Sequence, residues 1–556
     1  MAPMMGPDNL QVRQLADRYW EEFLATEPLF ATQVGDERFD HLLPDPSSVG
    51  RRHRESVHRR ALESLTKIDR EALNQEGRTV LDVIETLATK ELAAIEHRFD
   101  LFAAADHMWG PGTMLAQLEA LQRADTAERL DRYLTRLSAL PDFLGASTGL
   151  LKEAAQTGQT SPRLVVDRTI AQVERLLRLP PAESPAISPV PEEDAEGRER
   201  VQQVLRDDVY PGYEAYLAGL RDYRRGARET LGLGALPRGD DKYTAAILAW
   251  TTLPLDAKEI HERGVEQLAR IQEERREAAG RVGAPDPESA IASFTGRGSN
   301  AFASREDVVR LAEEQVRRGW EAAPKAFGTL PKDNCAVKPI DRSREDDVGE
   351  HYLPATADGS RPGVYFVNTK NPGNRPRHGL ATTTYHEANP GHHFQIGLEQ
   401  EATQRPALRR FGAELVGSAF CEGWGLYAER LADEMGLYQD EFERMGMLEM
   451  QAFRAARLVV DTGIHAFGWE RDRAIDTMAS TGIGRDTCEV EVDRYVAMPG
   501  QALAYTLGQL FIQERRAEAS ERLGSGLSLK DFHDRLLSLG SLPLPAIERE
   551  MQATDG

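Results

Sequence analysis

Apolar residues recur at every third or fourth position through most of the chain, a spacing typical of helices with one buried face. The clearest stretches are residues 10–24, 57–102, 126–157, 199–231, 257–279, 305–327 and about 437–480. Runs typical of strands are confined to residues 336–340 and 363–368. The pattern therefore predicts an all-α fold: a mainly helical body with two lobes and one small β-sheet.

A proline-rich segment interrupts this pattern after the first third of the chain. Residues 179–194 contain prolines at positions 180, 181, 185, 189 and 191, so they cannot form a continuous helix. We predict an exposed linker here. It would separate an N-terminal helical lobe, residues 1–180, from a catalytic helical region, residues 195–556, unless the two form one continuous domain.

The strongest chemical signal is a stretch at residues 385–395 that holds three of the thirteen histidines of the chain. It contains His386 followed by Glu387, with His392 and His393 close behind. A His-Glu pair on a helix followed by another histidine is typical of zinc hydrolases. In such enzymes the histidines bind the metal, and the glutamate takes a proton from the attacking water.

The spacing of these histidines requires a break in the helix. On a straight helix His386 and His392 would point about 240° apart, and His393 would lie about 10 Å along the axis from His386. Pro390 lacks the N–H that would bond to the His386 carbonyl, and Gly391 permits an irregular backbone. We therefore expect the helix to bulge or restart, which would return His392 to the position of a second ligand. His393 is the alternative ligand if the bulge has another shape.

A second candidate group lies in a predicted helical run at about residues 406–436. Glu422 stands among apolar and small neighbours, where burial of an unpaired carboxylate is costly. A metal ion would compensate this cost, although a structural salt bridge would do so too. Glu429 lies seven residues later on the same face, where it would orient a ligand histidine or form an ion pair at the surface.

A third candidate group follows near residue 494. Tyr505 is predicted to stabilise an oxyanion, and Arg494 to bind a substrate carboxylate through two hydrogen bonds. Gln501 shares the helix of Tyr505 and is expected to contact the substrate. The alternatives are a buried tyrosine with a satisfied hydroxyl and an arginine paired with Glu491.

Four other residues are weaker candidates. Asp461 and His465 lie four residues apart, so they share a helix face and form either a pair near the site or a structural pair. Tyr365 and Asn368 lie in or just after the predicted strand that ends fewer than twenty residues before the histidine stretch. We expect them to contact the substrate, unless the strand only packs on the catalytic helices.

Three motifs together resemble a large bacterial family classified as a domain of unknown function and described as metallopeptidase-like. They are His-Glu-Ala-x-Pro-Gly-His-His-x-Gln from residue 386, Glu-Gly-Trp-x-Leu-Tyr-x-Glu from residue 422, and Arg-Tyr-x-x-x-Pro-Gly-Gln-Ala-x-x-Tyr-x-x-Gly from residue 494. More remotely, the chain is similar to the helical zinc peptidases of the carboxypeptidase Taq and thimet oligopeptidase type.

This resemblance implies a deep cleft with one zinc ion and a strand beside it that pairs with the substrate backbone. It also implies two histidine ligands, a glutamate ligand, a general base and a tyrosine on the oxyanion side. Carried over to this sequence, these are His386, His392, Glu422, Glu387 and Tyr505, the last together with Tyr495.

Composition narrows the possible partners. The chain carries 90 acidic and 68 basic residues, a net charge of −22, which argues against nucleic-acid binding. Its three cysteines make no disulfide framework. Residues 1–9 lack the apolar core of a signal peptide, and no apolar run is long enough to span a membrane. We therefore expect a cytoplasmic protein without a membrane partner, in an oligomeric state that the sequence leaves open.

Together these observations predict a zinc-dependent hydrolase of amide bonds in short peptides, with one Zn²⁺ per chain and Glu387 as base. If Arg494 binds a terminal carboxylate, the enzyme is a carboxypeptidase. Two alternatives remain: a metallohydrolase of a non-peptide metabolite, and an inactive protein that binds metal or peptide. The intact Glu387 favours catalysis, because a binding site needs no general base.

Overall fold

Helices dominate the computed structural model, as the apolar spacing requires, and the prediction of a mainly α fold is confirmed. The structure describes residues 7–296, 300–340, 342, 345, 349–355, 362–524 and 528–553. They fall into two compact units, each built from separate parts of the chain. The first contains residues 1–245, 464–471 and 490–499, and the second contains residues 246–463, 472–489 and 500–556. The units therefore divide the chain at other places than the predicted linker.

The first twelve helices belong to the first unit, apart from the end of the twelfth. They are α1 Pro7–Thr26, α2 Pro28–Gln33, α3 Ser48–Leu65, α4 Gln75–Glu96, α5 Asp100–Ala103, α6 Met114–Leu121, α7 Ala127–Ser138, α8 Leu140–Thr157, α9 Arg163–Arg178, α10 Ala195–Val204, α11 Tyr210–Tyr223 and α12 Gly239–Thr251. One buried cluster joins α5 to α11 through residues such as Leu144, Val173 and Tyr213.

The prediction of an exposed linker at residues 179–194 is wrong. The segment forms two 3-10 turns, Pro181–Glu183 and Pro185–Ile187, each with proline at a position that tolerates it. Ile187 and Val190 are buried in the same cluster as α5–α11. Proline excluded a helix here, as expected, but it did not exclude packing, because the apolar residues between the prolines face the core.

The second unit contains the sheet and most of the later helices. Its elements are α13 Ala257–Arg281, α14 Pro287–Gly296, α15 Arg305–Ala322, β1 Ala336–Pro339, β2 His351–Leu353, β3 Val364–Val367, α16 Leu380–Glu387, α17 His392–Glu401, α18 Ala407–Arg410, α19 Ala419–Glu434, α20 Glu441–His465, α21 Arg471–Ala479, α22 Arg485–Ala497, α23 Leu503–Leu523, α24 Leu529–Leu539 and α25 Leu544–Ala553. The chain passes from one unit to the other within α20, α21 and α22, so parts of these three helices belong to the first unit. No helix in the described ranges is long and apolar enough to cross a membrane.

The sheet has the order β1-β3-β2. Strand β3 pairs in parallel with β1 and antiparallel with β2, in a register that aligns Tyr352 with Tyr365. Because β3 is the central strand, it cannot offer a free edge to a substrate, and the expectation that it does so is wrong. The short strand β2 was not predicted, since three residues carry too little pattern.

Two glycines allow α19 and α23 to pack closely in the second unit. A Cβ atom at Gly508 would overlap the Ala419 carbonyl oxygen, and one at Gly423 would overlap the backbone of Gly508. The helical run predicted at residues 406–436 is broken into α18, a 3-10 turn at Gly412–Glu414 and α19. Helix α19 begins only three residues before Glu422.

Candidate metal site

The helix that carries His386 ends and restarts inside the histidine stretch. Helix α16 ends at Glu387, the backbone of Ala388 leaves the helical region with ψ −108°, and α17 begins at His392. The Asn389–Pro390 peptide bond is cis. A Cβ atom at Gly391 would overlap the His386 carbonyl oxygen, so only glycine fits there.

A tryptophan on α19 binds this connection. The Nε1 atom of Trp424 donates to the carbonyl oxygens of Pro390 and Gly391 at 3.0 and 3.1 Å. Trp424 is fully buried. The break is therefore a packed part of the fold, which brings the His386 and His392 rings to a centroid distance of 4.7 Å.

Three side chains converge as ligands of one metal ion would. Glu422 Oε2 lies 3.4 Å from His386 Nε2 and 3.7 Å from His392 Nε2. Ligand atoms at about 2.0–2.1 Å from a tetrahedral zinc ion are separated by about 3.3 Å, so the observed spacing fits zinc after a small contraction. All three residues belong to the second unit. His386, Glu387 and His392 also form a group whose ligand atoms lie within 4.8 Å of one another.

A buried polar chain orients His386. Its Nδ1 atom lies 2.9 Å from Glu429 Oε1, and Glu429 Oε2 accepts from Gln451 Nε2 at 2.6 Å. Gln451 Oε1 in turn accepts from Gln509 Nε2 at 2.8 Å. A carboxylate on the far nitrogen of a histidine is the usual arrangement behind a zinc ligand, because it fixes the tautomer and leaves Nε2 for the metal.

Gly425 makes room for the His386 ring. A Cβ atom at position 425 would lie 2.5 Å from Cε1, 2.7 Å from Nε2 and 2.8 Å from Nδ1 of that ring. The imidazole therefore lies directly on the backbone of α19, one turn after Glu422. This contact explains the glycine in a helix interior, where it is otherwise unfavourable.

The charges of the group are strongly coupled. Burial alone would lower the pKa of His386, but hydrogen bonds to the carboxylates of Glu422 and Glu429 outweigh it and raise that pKa to about 9. Burial opposes the charge of Glu422, but His386 and His392 hold the pKa of this carboxyl well below its ordinary value. The two residues thus stabilise each other as an ion pair without a metal.

Glu387 lies beside this group as a candidate base. Its Oε2 atom accepts a hydrogen bond of 2.9 Å from the backbone N–H of Tyr352 in β2. Burial raises the pKa of Glu387, the negative charge of Glu422 adds to this, and the two histidines oppose it. A carboxyl with a raised pKa accepts a proton near neutral pH more readily than an ordinary glutamate.

Cys421 is a neighbour of His392 that sequence reasoning missed. Its Sγ atom lies 3.5 Å from His392 Nδ1, on the side away from Glu422. The residue precedes Glu422, and adjacent positions on a helix do not share a face, so the spacing gave no signal.

His393 points to other partners. Its Nδ1 atom lies 3.0 Å from the Tyr352 hydroxyl, and its Nε2 atom lies 2.8 Å from the Asp333 carbonyl oxygen. Burial lowers the pKa of His393. With both nitrogens used, the ring joins α17 to β2 and the loop before β1, and His392 is the histidine that faces Glu422.

Tyr365 and Asn368 were predicted to contact the substrate, but both are used within the fold. The Tyr365 ring is fully buried in the core between the sheet and α15, and its contact with the substrate stays a prediction. The Asn368 amide donates to the Glu345 carbonyl oxygen at 2.9 Å and accepts from the Lys370 N–H at 2.9 Å. Asn368 therefore shapes the loop after β3.

The candidates Arg494 and Tyr495 belong to the first unit. The Arg494 guanidinium and the Tyr495 hydroxyl both donate to Glu491 Oε2, at 2.9 and 2.7 Å. This is the arginine–glutamate pair that the sequence left as the alternative. A role of these two residues toward the substrate stays a prediction.

Asp461 and His465 also have structural contacts. The Asp461 carboxylate accepts from the Gly500 N–H at 3.1 Å, which supports the turn before α23. His465 lies between the Leu233 N–H and the Tyr495 carbonyl oxygen, at 3.3 and 2.9 Å. Burial lowers the pKa of His465 to about 3, so the ring stays neutral.

Tyr505 lies on α23, three residues before Gly508, which packs closely against α19. The Cζ atom of Arg457 lies 4.4 Å from the centre of the Tyr505 ring. Gln501 is buried just before α23. The oxyanion role of Tyr505 and the substrate role of Gln501 stay predictions.

Comparisons with known proteins agree with the fold. The sequence model of a family described as bacterial protein of unknown function (DUF885) matches residues 28–551. The crystal structure of a "putative lipoprotein" from Colwellia psychrerythraea is similar at a TM-score of 0.89 and 24% identity, covering 99% of both chains. The structure of a "putative lipoprotein of unknown function" from Shewanella oneidensis is similar at a TM-score of 0.75 and 18% identity, and the match covers 97% of this chain and 99% of that one. No curated protein matches the sequence.

Proposed function

We propose that this chain, which belongs to the DUF885 family of bacterial proteins of unknown function, is a metal-dependent hydrolase of amide bonds in short peptides. One observation carries the proposal: His386, His392 and Glu422 converge at ligand spacing, and the half-buried Glu387 stands beside them. A site that only bound metal would need no additional carboxyl poised as a base.

The residues divide the chemistry among them. A zinc ion held by His386, His392 and Glu422 would lower the pKa of water and polarise a carbonyl group. Glu387 accepts the proton of the attacking water and delivers it to the leaving amine. Glu429 keeps the His386 ring in the tautomer that leaves Nε2 as a ligand. Tyr505 stabilises the oxyanion through its hydroxyl.

Strand β2 replaces β3 as the strand beside the substrate. The N–H of Tyr352 points away from β3, because it donates to Glu387. The outer edge of β2 therefore faces the base, and the Tyr352 carbonyl oxygen on that edge can accept a hydrogen bond from an extended peptide. Main-chain pairing selects peptides without demanding particular side chains, which suits a hydrolase of varied short substrates.

Hydrolysis of a mixture of short peptides by the zinc-loaded chain, followed by mass spectrometry, tests the proposal. The Glu387→Gln variant should keep its zinc and lose about 10²- to 10⁴-fold in rate, because it removes the general base. Glu434→Gln, at the exposed end of the same α19 that carries Glu422, is the matched control and should cleave like wild type. Cleavage by Glu387→Gln at the wild-type rate, or no cleavage of any peptide by the zinc-loaded wild type, would overturn the proposal.

We also propose the cytoplasm as its location, since Cys335, Cys421 and Cys488 are all free thiols. The description of the two structural neighbours as lipoproteins points instead to the cell envelope for those proteins. Fractionation of cells that express the native gene distinguishes a cytoplasmic location from one in the cell envelope. Recovery with a cytosolic marker supports the proposal, and recovery with the envelope contradicts it.

A further inference from the structure

Two arginines of α20 flank the ring of Tyr505, and the function proposed above uses neither. The Cζ atom of Arg457 lies 4.4 Å from the ring centre, and that of Arg454 lies 5.8 Å from it. Arg457 is buried, whereas Arg454 and Tyr505 are half-buried. The cluster therefore presents one half-buried arginine beside a half-buried tyrosine.

Helix register places this cluster at the level of Glu422. Gln451 donates to the Leu426 carbonyl oxygen at 3.3 Å, and Arg444 pairs with Asp433 at 2.8 Å, so α20 runs antiparallel to α19. Arg454 lies three residues after Gln451, about 4.5 Å further along the axis and toward residue 423 of α19.

Tyr505 reaches the same level from α23. Gln509 donates to the carbonyl oxygen of Leu426 at 3.1 Å, and the Thr506 hydroxyl donates to that of Arg454 at 2.9 Å. Arg516 of α23 pairs with Glu434, so α23 runs parallel to α19, and Gly508 packs against Ala419 and Gly423. Tyr505 lies about one turn before Gly508, so it stands near the first turn of α19, the turn that contains Glu422. Arg454 and Tyr505 thus lie on the metal side of the Glu429–Gln451 chain.

Arg454 differs from several other half-buried arginines of the second unit. Its guanidinium contacts the rings of Phe453 and Tyr505, and its Nη1 atom lies 4.0 Å from the Met450 sulfur. Within the described parts of the chain, no carboxylate forms an ion pair with it. Comparable arginines do pair with acids: Arg375 with Glu350, Arg430 with Glu274, Arg444 with Asp433 and Arg515 with Glu548.

We propose that Arg454 binds the carboxylate of the substrate, so that the substrates are peptides with a free C-terminus. The inference rests on the proposed hydrolase function and narrows it to the removal of C-terminal residues. A guanidinium binds a carboxylate through two parallel hydrogen bonds, and the second guanidinium, that of Arg457, adds positive charge in a chain of net charge −22. Arg454 takes the role that sequence reasoning gave to Arg494, which pairs with Glu491.

Calorimetric binding of N-acetyl-Ala-Phe and of its C-terminal amide tests this assignment. The zinc-loaded Glu387→Gln chain serves as background, since it prevents turnover. The acid should bind at least tenfold more tightly than the amide. Adding Arg454→Gln should weaken binding of the acid about 10- to 100-fold and leave the amide unchanged. Adding Arg444→Gln, which removes a charge from the same helix, should change neither.

Equal affinity for acid and amide, including no binding of either, would overturn the inference, as would a preference for the acid that survives Arg454→Gln. If Arg454→Gln fails to fold, Arg454→Lys replaces it. This variant should weaken acid binding about tenfold, because the lysine ammonium cannot form the two parallel hydrogen bonds of a guanidinium. Peptide hydrolysis by the wild type is measured separately. A chain that prefers the acid through Arg454 but cleaves nothing would support the binding site and overturn only the hydrolase.

Discussion

Replacement of Gly425 by alanine should affect zinc binding and the stability of α19 differently. Position 425 lies in the interior of α19, where alanine is favoured over glycine by about 1 kcal/mol. The new methyl group, however, would lie 2.5 Å from Cε1 of His386. Ordinary contacts begin at about 3.4 Å. The ring must therefore move by about 0.9 Å, or α19 must move away from α16.

This displacement is large compared with what a metal site tolerates. Ligand distances in zinc sites vary by only about 0.2 Å, and the His386 ring is already held by Glu429 on its other side. We expect Gly425→Ala to weaken zinc binding at least about 100-fold, through loss of one of three ligands. Overpacking costs about 1–3 kcal/mol, and the gain in helix propensity offsets part of it. The free energy of unfolding should therefore change little or fall by about 2 kcal/mol.

Zinc competition with a chromogenic chelator and denaturant unfolding of the metal-free chain measure the two effects. Gly149→Ala is the matched control, because its methyl group in α8 meets nothing within 4 Å. It should raise the free energy of unfolding by about 0.5–1 kcal/mol and leave zinc affinity unchanged. Wild-type zinc affinity in Gly425→Ala would refute the placement of His386 against α19.

Three further variants test single contacts. Glu429→Gln should weaken zinc binding about 10- to 100-fold in the same chelator assay, since it removes the charge behind His386; unchanged affinity would argue against this orienting role. His393→Gln should keep its zinc by elemental analysis but lose about 1–3 kcal/mol in denaturant unfolding, because its ring bridges β2 and the Asp333 carbonyl; metal loss from the folded variant would contradict this. His465 has a pKa of about 3 in the folded chain, mainly through burial, and an ordinary pKa of about 6.5 when unfolded. The unfolded chain thus binds the extra proton, and stability should fall between pH 6.5 and 3 by up to about 1.4 kcal/mol per pH unit. His465→Gln should flatten that decline in unfolding measured at several pH values, and an unchanged slope would contradict the assignment.

Local chemistry predicted the break in the histidine stretch. The absent N–H of Pro390 and the crowding at the His386 carbonyl act within five residues, so the sequence alone excludes a straight helix. The structure accordingly ends α16 at Glu387 and begins α17 at His392. The mainly helical class followed from apolar spacing in the same way.

Contacts between distant residues were not predictable from spacing. Gln451 reaches Glu429 across 22 residues, and the Tyr352 N–H reaches Glu387 across 35. One signal was present for Gln451, a polar residue directly followed by apolar Ala452 and Phe453 in a predicted helix, but such a pattern does not name the partner. The partner of Gln451 is determined by which distant helices pack together in the fold.

The prediction for the proline-rich segment, residues 179–194, was wrong for a related reason. The proline-rich composition of these residues predicted a linker. Whether their side chains are buried depends instead on which apolar residues lie between the turns. Ile187 and Val190 face the core. A short segment can bury two side chains without any periodic pattern, so its packing was visible only in the fold.

Elemental analysis of the chain after zinc loading and removal of excess metal tests the central claim most directly, with His386→Ala, Glu422→Ala and His393→Ala measured beside wild type. We predict one zinc ion per chain in wild type and in His393→Ala, and none in the other two variants. No zinc in the wild type, or one zinc ion retained in both His386→Ala and Glu422→Ala, would contradict the account.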